Sequence, residues 1–211
     1  MENFKHAVQS MKAAFAESAG HRGYFLADGA CAAQLELLRE AGFGLRCTEL
    51  AALSAAREGG FRDSLLTCTN LTPQMLRQAA DAALVLADSD AMDALESGGA
   101  MPESVFLTCR TGGGAQGFSA EELAGCMFRL HMGGVNEFGL YAAPDAPPQE
   151  TAKQLFETAA WIRREIGMFV SRVYFALPAD SLSSAGGILA DYEALLAPAD
   201  LGQCALFTEL V

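Results

Sequence analysis

Apolar residues recur at spacings of three and four from Phe4 through Ala7, Val8 and Met11 to Phe15, with polar residues between them. That period predicts an amphipathic helix, ended by Gly20. The short apolar run Gly23 to Ala27 then predicts a strand, followed by a helix carrying Leu35 and Leu38 that stops at Gly42. The unit repeats: strand Phe43 to Cys47 with helix Glu49 to Glu58, then strand Leu65 to Cys68 with a helix begun by Thr72 as N-cap and Pro73 at its first position. Strand Leu84 to Ala87 leads to a helix capped by Ser89. Strand Val105 to Cys109 leads through Gly112 to Gly114 into a helix whose Ser119 and Glu122 form a capping box. Strand Glu137 to Ala142 precedes a long helix with Leu155, Ala159, Ile162 and Ile166 on one face, strand Arg172 to Leu177 precedes a helix over Ile188 to Leu196, and Ala205 to Glu209 is the last strand.

Eight strands alternating with eight helices are the parts of a closed (β/α)8 barrel. The predicted fold class is therefore α/β, a TIM-type barrel beginning with a helix, as a single domain over residues 1–211. An open doubly wound sheet also alternates strands and helices, but its glycine fingerprint is absent from the first turn, Asp28-Gly29-Ala30. The chain is 51% hydrophobic and 19% charged, a balance that suits strands covered on both faces.

A formal net charge of -12 disfavours nucleic acid and anionic membranes as partners. Neither a basic leader at Met1-Glu2-Asn3-Phe4-Lys5 nor an apolar run of membrane-spanning length is found, and the expected location is the cytoplasm. Cys31, Cys47, Cys68, Cys109, Cys126 and Cys204 stand singly, without metal-ligand spacing, and read as small buried residues. Asp90 and Asp93 fall in the first turn of a helix, where carboxylates offset the dipole, which disfavours a cation site with Asp88, so no metal is expected.

Barrels of this kind place their chemistry at the carboxyl ends of the strands. The residues there include Asp28, Cys47, Arg110, Tyr141 and Glu209, and these are the candidate ligand contacts. Arg110 and Glu209 are read as facing one another across a pocket for a small anionic metabolite. Gly186 and Gly187, before a helix, are candidates for backbone contact with an anion. His6, His21 and His131 lie in or beside helices, which leaves a triad hydrolase without a base.

The order of segments resembles the barrel domain of the fold-type III pyridoxal-phosphate decarboxylases, those acting on diaminopimelate, ornithine and arginine. Tyr24-Phe25-Leu26-Ala27-Asp28-Gly29 is similar to that family's Tyr-Ala-Val-Lys-Ala-Asn strand. Thr48-Glu49-Leu50-Ala51 is similar to its glycine-glycine-glutamate-leucine helix start, and Phe138-Gly139-Leu140-Tyr141-Ala142-Ala143 falls where it has Gly-Leu-His-Cys-His-Ile-Gly-Ser. Phe207-Thr208-Glu209 falls at its Glu-Pro-Gly-Arg strand end. The resemblance implies that Glu209 corresponds to the glutamate at the pyridine nitrogen, that Ala27 stands in place of the Schiff-base lysine, and that Ala143 stands in place of the ring-stacking histidine. The phosphate-holding glycine loop is replaced by Ala176-Leu177-Pro178-Ala179. The expectation is a barrel without covalent pyridoxal phosphate and without catalytic activity, acting through a ligand or through pairing, as a homodimer or with an active relative. The alternative is an enzyme that uses the barrel mouth without that cofactor, or a divergent amino-acid decarboxylase or racemase. The resemblance covers nearly all of this chain but about half of a family member, whose β-rich second domain has no counterpart in these residues.

Overall fold

A computed structural model describes residues 2–18, 20–67, 71–79, 82–98, 101–111, 116–143, 146–199, 201 and 204–210. Helix α1 (Glu2–Ala14) comes first, and β1 (Arg22–Leu26), α2 (Ala32–Ala41), β2 (Gly44–Cys47), α3 (Leu50–Glu58) and β3 (Ser64–Thr67) follow. Then come α4 (Pro73–Gln78), β4 (Ala83–Leu86), α5 (Ser89–Gly98), β5 (Ser104–Thr108), α6 (Ala120–Met132) and β6 (Glu137–Ala142). Helix α7 (Pro148–Trp161) runs on into a π turn, Ile162–Ile166, where the periodicity predicts one unbroken helix. Strand β7 (Arg172–Leu177), a 3-10 turn Ala179–Ser184, α8 (Ala185–Leu196) and β8 (Ala205–Leu210) complete the order.

The eight strands are all parallel and close into a barrel with β8 paired to β1. Followed from Tyr24 to Gly44 and on through every pairing, the register returns to β1 displaced by eight residues. Eight strands with a shear of eight are the defining numbers of the TIM-type barrel.

That register sorts the inward side chains into layers of four drawn from alternate strands. Tyr24, Leu65, Phe106 and Tyr174 make the central layer, and Arg46, Val85, Tyr141 and Glu209 lie above it toward the strand C-termini. Gly44, Ala83, Gly139 and Phe207 lie below. The two glycines in the lower layer are required by the rings above them: a Cβ at Gly139 would lie 2.3 Å from the Phe106 ring, and one at Gly44 would lie 2.3 Å from the Tyr24 ring. Large rings thus fill the gaps that small residues leave, which is how a barrel interior reaches crystal-like density. Outside the strands a second core joins Leu45, Leu84 and Leu206 to helical residues such as Leu38, Leu95, Leu130 and Ile188.

Local sequence signals mostly hold. Thr72 Oγ1 accepts from Met75 N, Ser119 and Glu122 form the reciprocal capping box, and Gly42 closes α2 at φ 79°. Helix α5 differs, since its cap is Asp88, whose carboxylate accepts from Ala91 N at 2.8 Å, while Ser89 is already helical. Asp93 is paired with Arg129 rather than gathered with Asp88. Cys47, Cys109, Cys126 and Cys204 are buried and Cys31 is exposed. Burial holds the Cys109 and Cys126 thiols above their ordinary range and pushes Cys204 up to about 12, so these sulfurs stay protonated. Cys68 lies outside the described residues.

His21 stacks on Phe15 with ring centroids 4.2 Å apart, and its Nε2 lies 2.7 Å from Thr208 Oγ1. Burial lowers its pKa from 6.5 to about 4. A base whose folded pKa is depressed takes up a proton more readily when unfolded, so this contribution is complete above the unfolded value and is lost as pH falls from 6.5 toward 4. Thermal melts across that window should show a loss of roughly 1–3 kcal/mol, and His21→Gln should flatten the dependence. Equal pH slopes in the two proteins would remove His21 as the cause.

Candidate ligand-binding site

The upper interior of the barrel holds a buried ionic cluster. Arg46, inward on β2, gives two parallel hydrogen bonds to Glu209 on β8: Nε to Oε2 at 2.7 Å and Nη2 to Oε1 at 2.9 Å. Tyr174 on β7 donates its hydroxyl to Glu209 Oε2 at 2.5 Å. The Glu209 side chain is fully buried and Arg46 is nearly so. Burial works against the Arg46 charge, and the hydrogen-bonded Glu209 carboxylate outweighs it, which keeps the guanidinium charged. Burial first, and then the Glu209 charge, hold the Tyr174 phenol well above its ordinary range, so Tyr174 remains a donor.

Beside this cluster a cavity of about 410 Å³ opens at the carboxyl ends of β3 to β6, lined by residues that include Thr67, Asp88, Thr108, Arg110, Glu122 and Tyr141. Tyr141 joins the two regions, with its ring 5.1 Å from that of Tyr174. Arg110 donates to Gly117 O at 2.9 Å and stands 3.6 Å from Glu122, a loose pair with both side chains about half exposed. Thr67 Oγ1 is buried with no hydrogen-bond partner among the described residues. An inward hydroxyl left in this state at the lip of a cavity is a donor and acceptor ready for a ligand.

The residues expected at the mouth are placed as follows. Glu209, Tyr141 and Arg110 are all there, but Arg110 and Glu209 do not face one another: the partner of Glu209 is Arg46, which the reading of strand ends passed over. Cys47 follows Arg46 and therefore points the opposite way, into the core between barrel and helices. Asp28 is tied to the next strand end, accepting from Thr48 Oγ1 at 2.7 Å. Gly186 and Gly187 lie in the first turn of α8 outside the cavity, where Gly187 packs on the Gln149 side chain. Gly112 to Gly114 fall outside the described residues.

Comparison with solved structures reveals the same barrel in decarboxylases. Diaminopimelate decarboxylase from M. jannaschii in complex with L-lysine superposes with a TM-score of 0.81 at 13% identity, over 99% of this chain and 58% of that one. The biosynthetic arginine decarboxylase of Campylobacter jejuni gives 0.78 at 10% identity, over 99% and 42%. Lysine/ornithine decarboxylase of Vibrio vulnificus complexed with cadaverine gives 0.76 at 9% identity, over 98% and 59%. The fold is thus a decarboxylase-like (β/α)8 barrel, and the chain spans about half the length of the solved chains it matches. No family model and no curated protein matches the sequence. Among the described residues no helix is long and apolar enough to cross a membrane.

The mouth does not fit a covalently held pyridoxal phosphate. Ala27 packs against the outer core, so the inward positions that flank it are Leu26 and Asp28, and neither supplies an amine. The only lysines are Lys5 and Lys12 on α1 and Lys153 on α7, all exposed on the outer helices. The Glu209 carboxylate, which the resemblance sets against a pyridine nitrogen, already takes three charge-assisted hydrogen bonds from Arg46 and Tyr174.

Proposed function

We propose that this chain is a noncatalytic, decarboxylase-like barrel that binds a small anionic ligand at its C-terminal mouth without pyridoxal phosphate. The observation that carries the reading is the state of Glu209: its carboxylate is engaged by Arg46 and Tyr174, while the neighbouring cavity keeps a loosely held Arg110. An incoming carboxylate or phosphate displaces Glu122 from Arg110, an exposed pairing of little energy, and takes hydroxyl contacts from Thr67 and Thr108. Acid–base chemistry by Glu209 or Asp28 has less support, because each carboxylate is already hydrogen-bonded within the fold.

Two measurements test this. Absorbance with added pyridoxal phosphate, followed by borohydride reduction and mass spectrometry, should show no aldimine band and no added mass. A stable lysine adduct overturns the cofactor half of the reading. Inorganic phosphate or succinate at millimolar concentration should raise the melting temperature, and Arg110→Ala should abolish the rise; an unchanged rise in that variant overturns the anion half.

A second reading, pairing with another copy or with an active decarboxylase relative, is favoured by the exposed Phe128 and Met132, one turn apart on α6, and by Ile166 and Phe169 just beyond α7. A sedimentation profile that stays monomeric, alone and mixed with such a relative, removes it.

A further inference from the structure

The opposite end of the barrel also carries a cavity, of about 350 Å³, and its lining is built rather than accidental. The first residues of five strands, Ser64, Ala83, Ser104, Glu137 and Arg172, reach it. Two ion pairs brace its rim, Arg22 with Asp63 and Arg172 with Glu137, and Arg172 also donates to Ser104 Oγ at 2.7 Å. Within the lining these pairings consume Asp63, Glu137 and Arg172. They leave Arg62 and Glu103, one charge of each sign, without an ion-pair partner among the described residues.

Tyr24 closes the inner end. It is 3% exposed, and its ring leans over Gly44 in the lower layer, which aims the phenol toward this cavity. The hydroxyl has no hydrogen-bond partner among the described residues. Burial is the main cause of its raised pKa, and the next largest influences are Asp63, Arg22 and Arg172, all at this end of the barrel. Ser64, 7% exposed, pairs with Leu45 and therefore turns its side chain toward the outer core, so it borders the cavity without aiming its hydroxyl into it. The cavity thus offers a ligand a cation and an anion that no ion pair of the described residues uses, and a phenol hydroxyl at its inner end.

We propose that this N-terminal cavity is a second binding site, for a small zwitterion bearing one carboxylate and one ammonium group, of which a free α-amino acid is the simplest. Arg62 and the Tyr24 hydroxyl take the carboxylate, and Glu103 takes the ammonium. The charge count selects the ligand class: one unpaired cation and one unpaired anion disfavour a ligand of net charge, whereas a zwitterion neutralises both. The inner wall of Leu65, Ala82 and Ala83 admits a short apolar side chain.

Isothermal titration of the intact chain with glycine, L-alanine and L-serine, with acetate and methylammonium as single-charge controls, tests the site. The amino acids should bind at least about tenfold more tightly than either control. Arg62→Ala and Glu103→Gln, both on exposed side chains, should each weaken binding by about tenfold or more, and Tyr24→Phe by a smaller factor. Arg110→Ala, at the other end of the barrel, should leave it unchanged. The assignment is overturned if no amino acid binds up to about 10 mM, if acetate binds equally well, or if Arg62→Ala and Glu103→Gln keep the parent affinity.

Discussion

Arg46→Ala should lower stability by about 3–5 kcal/mol, the cost of leaving one partner of a buried pair uncompensated. The loss is large because Glu209 is fully buried and its remaining contact, the Tyr174 hydroxyl, cannot balance a full charge. Glu209→Ala should cost a similar amount by stranding Arg46, moderated because that guanidinium keeps some solvent contact. The pair is nevertheless not a large net source of stability. Replacing both residues together, as Arg46→Met with Glu209→Leu, should be much less harmful than either single change, since paired burial roughly cancels its own desolvation cost. Urea denaturation of the parent, the single variants Arg46→Met and Glu209→Leu, and the double variant closes the cycle. Losses that simply add would show that Arg46 and Glu209 act independently, and the account of the upper layer would fail.

The ionic cluster also marks the limit of what the sequence discloses. The barrel was legible because helices and strands announce themselves by period, and because Gly42, Thr72 with Pro73, and Ser119 with Glu122 punctuate them locally. Glu209 was legible as a charge at a strand end. Arg46 was not, because in a strand covered on both faces no alternation of polar and apolar residues shows which parity points inward. In Phe43-Gly44-Leu45-Arg46-Cys47 the reading fell on the terminal Cys47. Closure of the barrel decides instead for Gly44 and Arg46, and brings Arg46 to a partner 163 residues away. A single arginine inside an apolar strand was the available signal. Ala27 was set at the lysine position by the likeness of its strand to the family's Tyr-Ala-Val-Lys-Ala-Asn, which carries no parity, whereas the inward residues at that strand end are Leu26 and Asp28.

The two ends of the barrel differ in a way that bears on both proposed sites. At the C-terminal mouth the strongest charges are spent on each other deep in the interior, and what is left for a ligand is Arg110 and the threonine hydroxyls near the rim. At the N-terminal end the ion pairs lie on the rim, and the unspent groups include a phenol at the inner end. Arg110→Ala and Arg62→Ala therefore separate the two sites cleanly, because no side chain lines both cavities.

Phe106→Ala should be the other severe change, costing about 3–5 kcal/mol, because the ring is completely buried at the centre of the barrel. It touches Tyr174 and Phe207, with ring centroids 5.9 Å and 5.8 Å away, and it occupies the space above Gly139. That last contact makes a sharper test than the size of the loss. Gly139→Ala in the parent protein should cost about 1–3 kcal/mol, since the new methyl would sit 2.3 Å from the Phe106 ring and β5 or β6 must shift to admit it. With Phe106 already truncated, the same methyl enters a void, and Gly139→Ala should become neutral or stabilising as it fills part of the cavity. A coupling of about 1 kcal/mol or more in that direction is expected from chemical denaturation of the two single variants and the double. Additive losses would mean that Phe106 and Gly139 are not packed against each other, and the layered interior deduced from the strand register would be wrong at its middle.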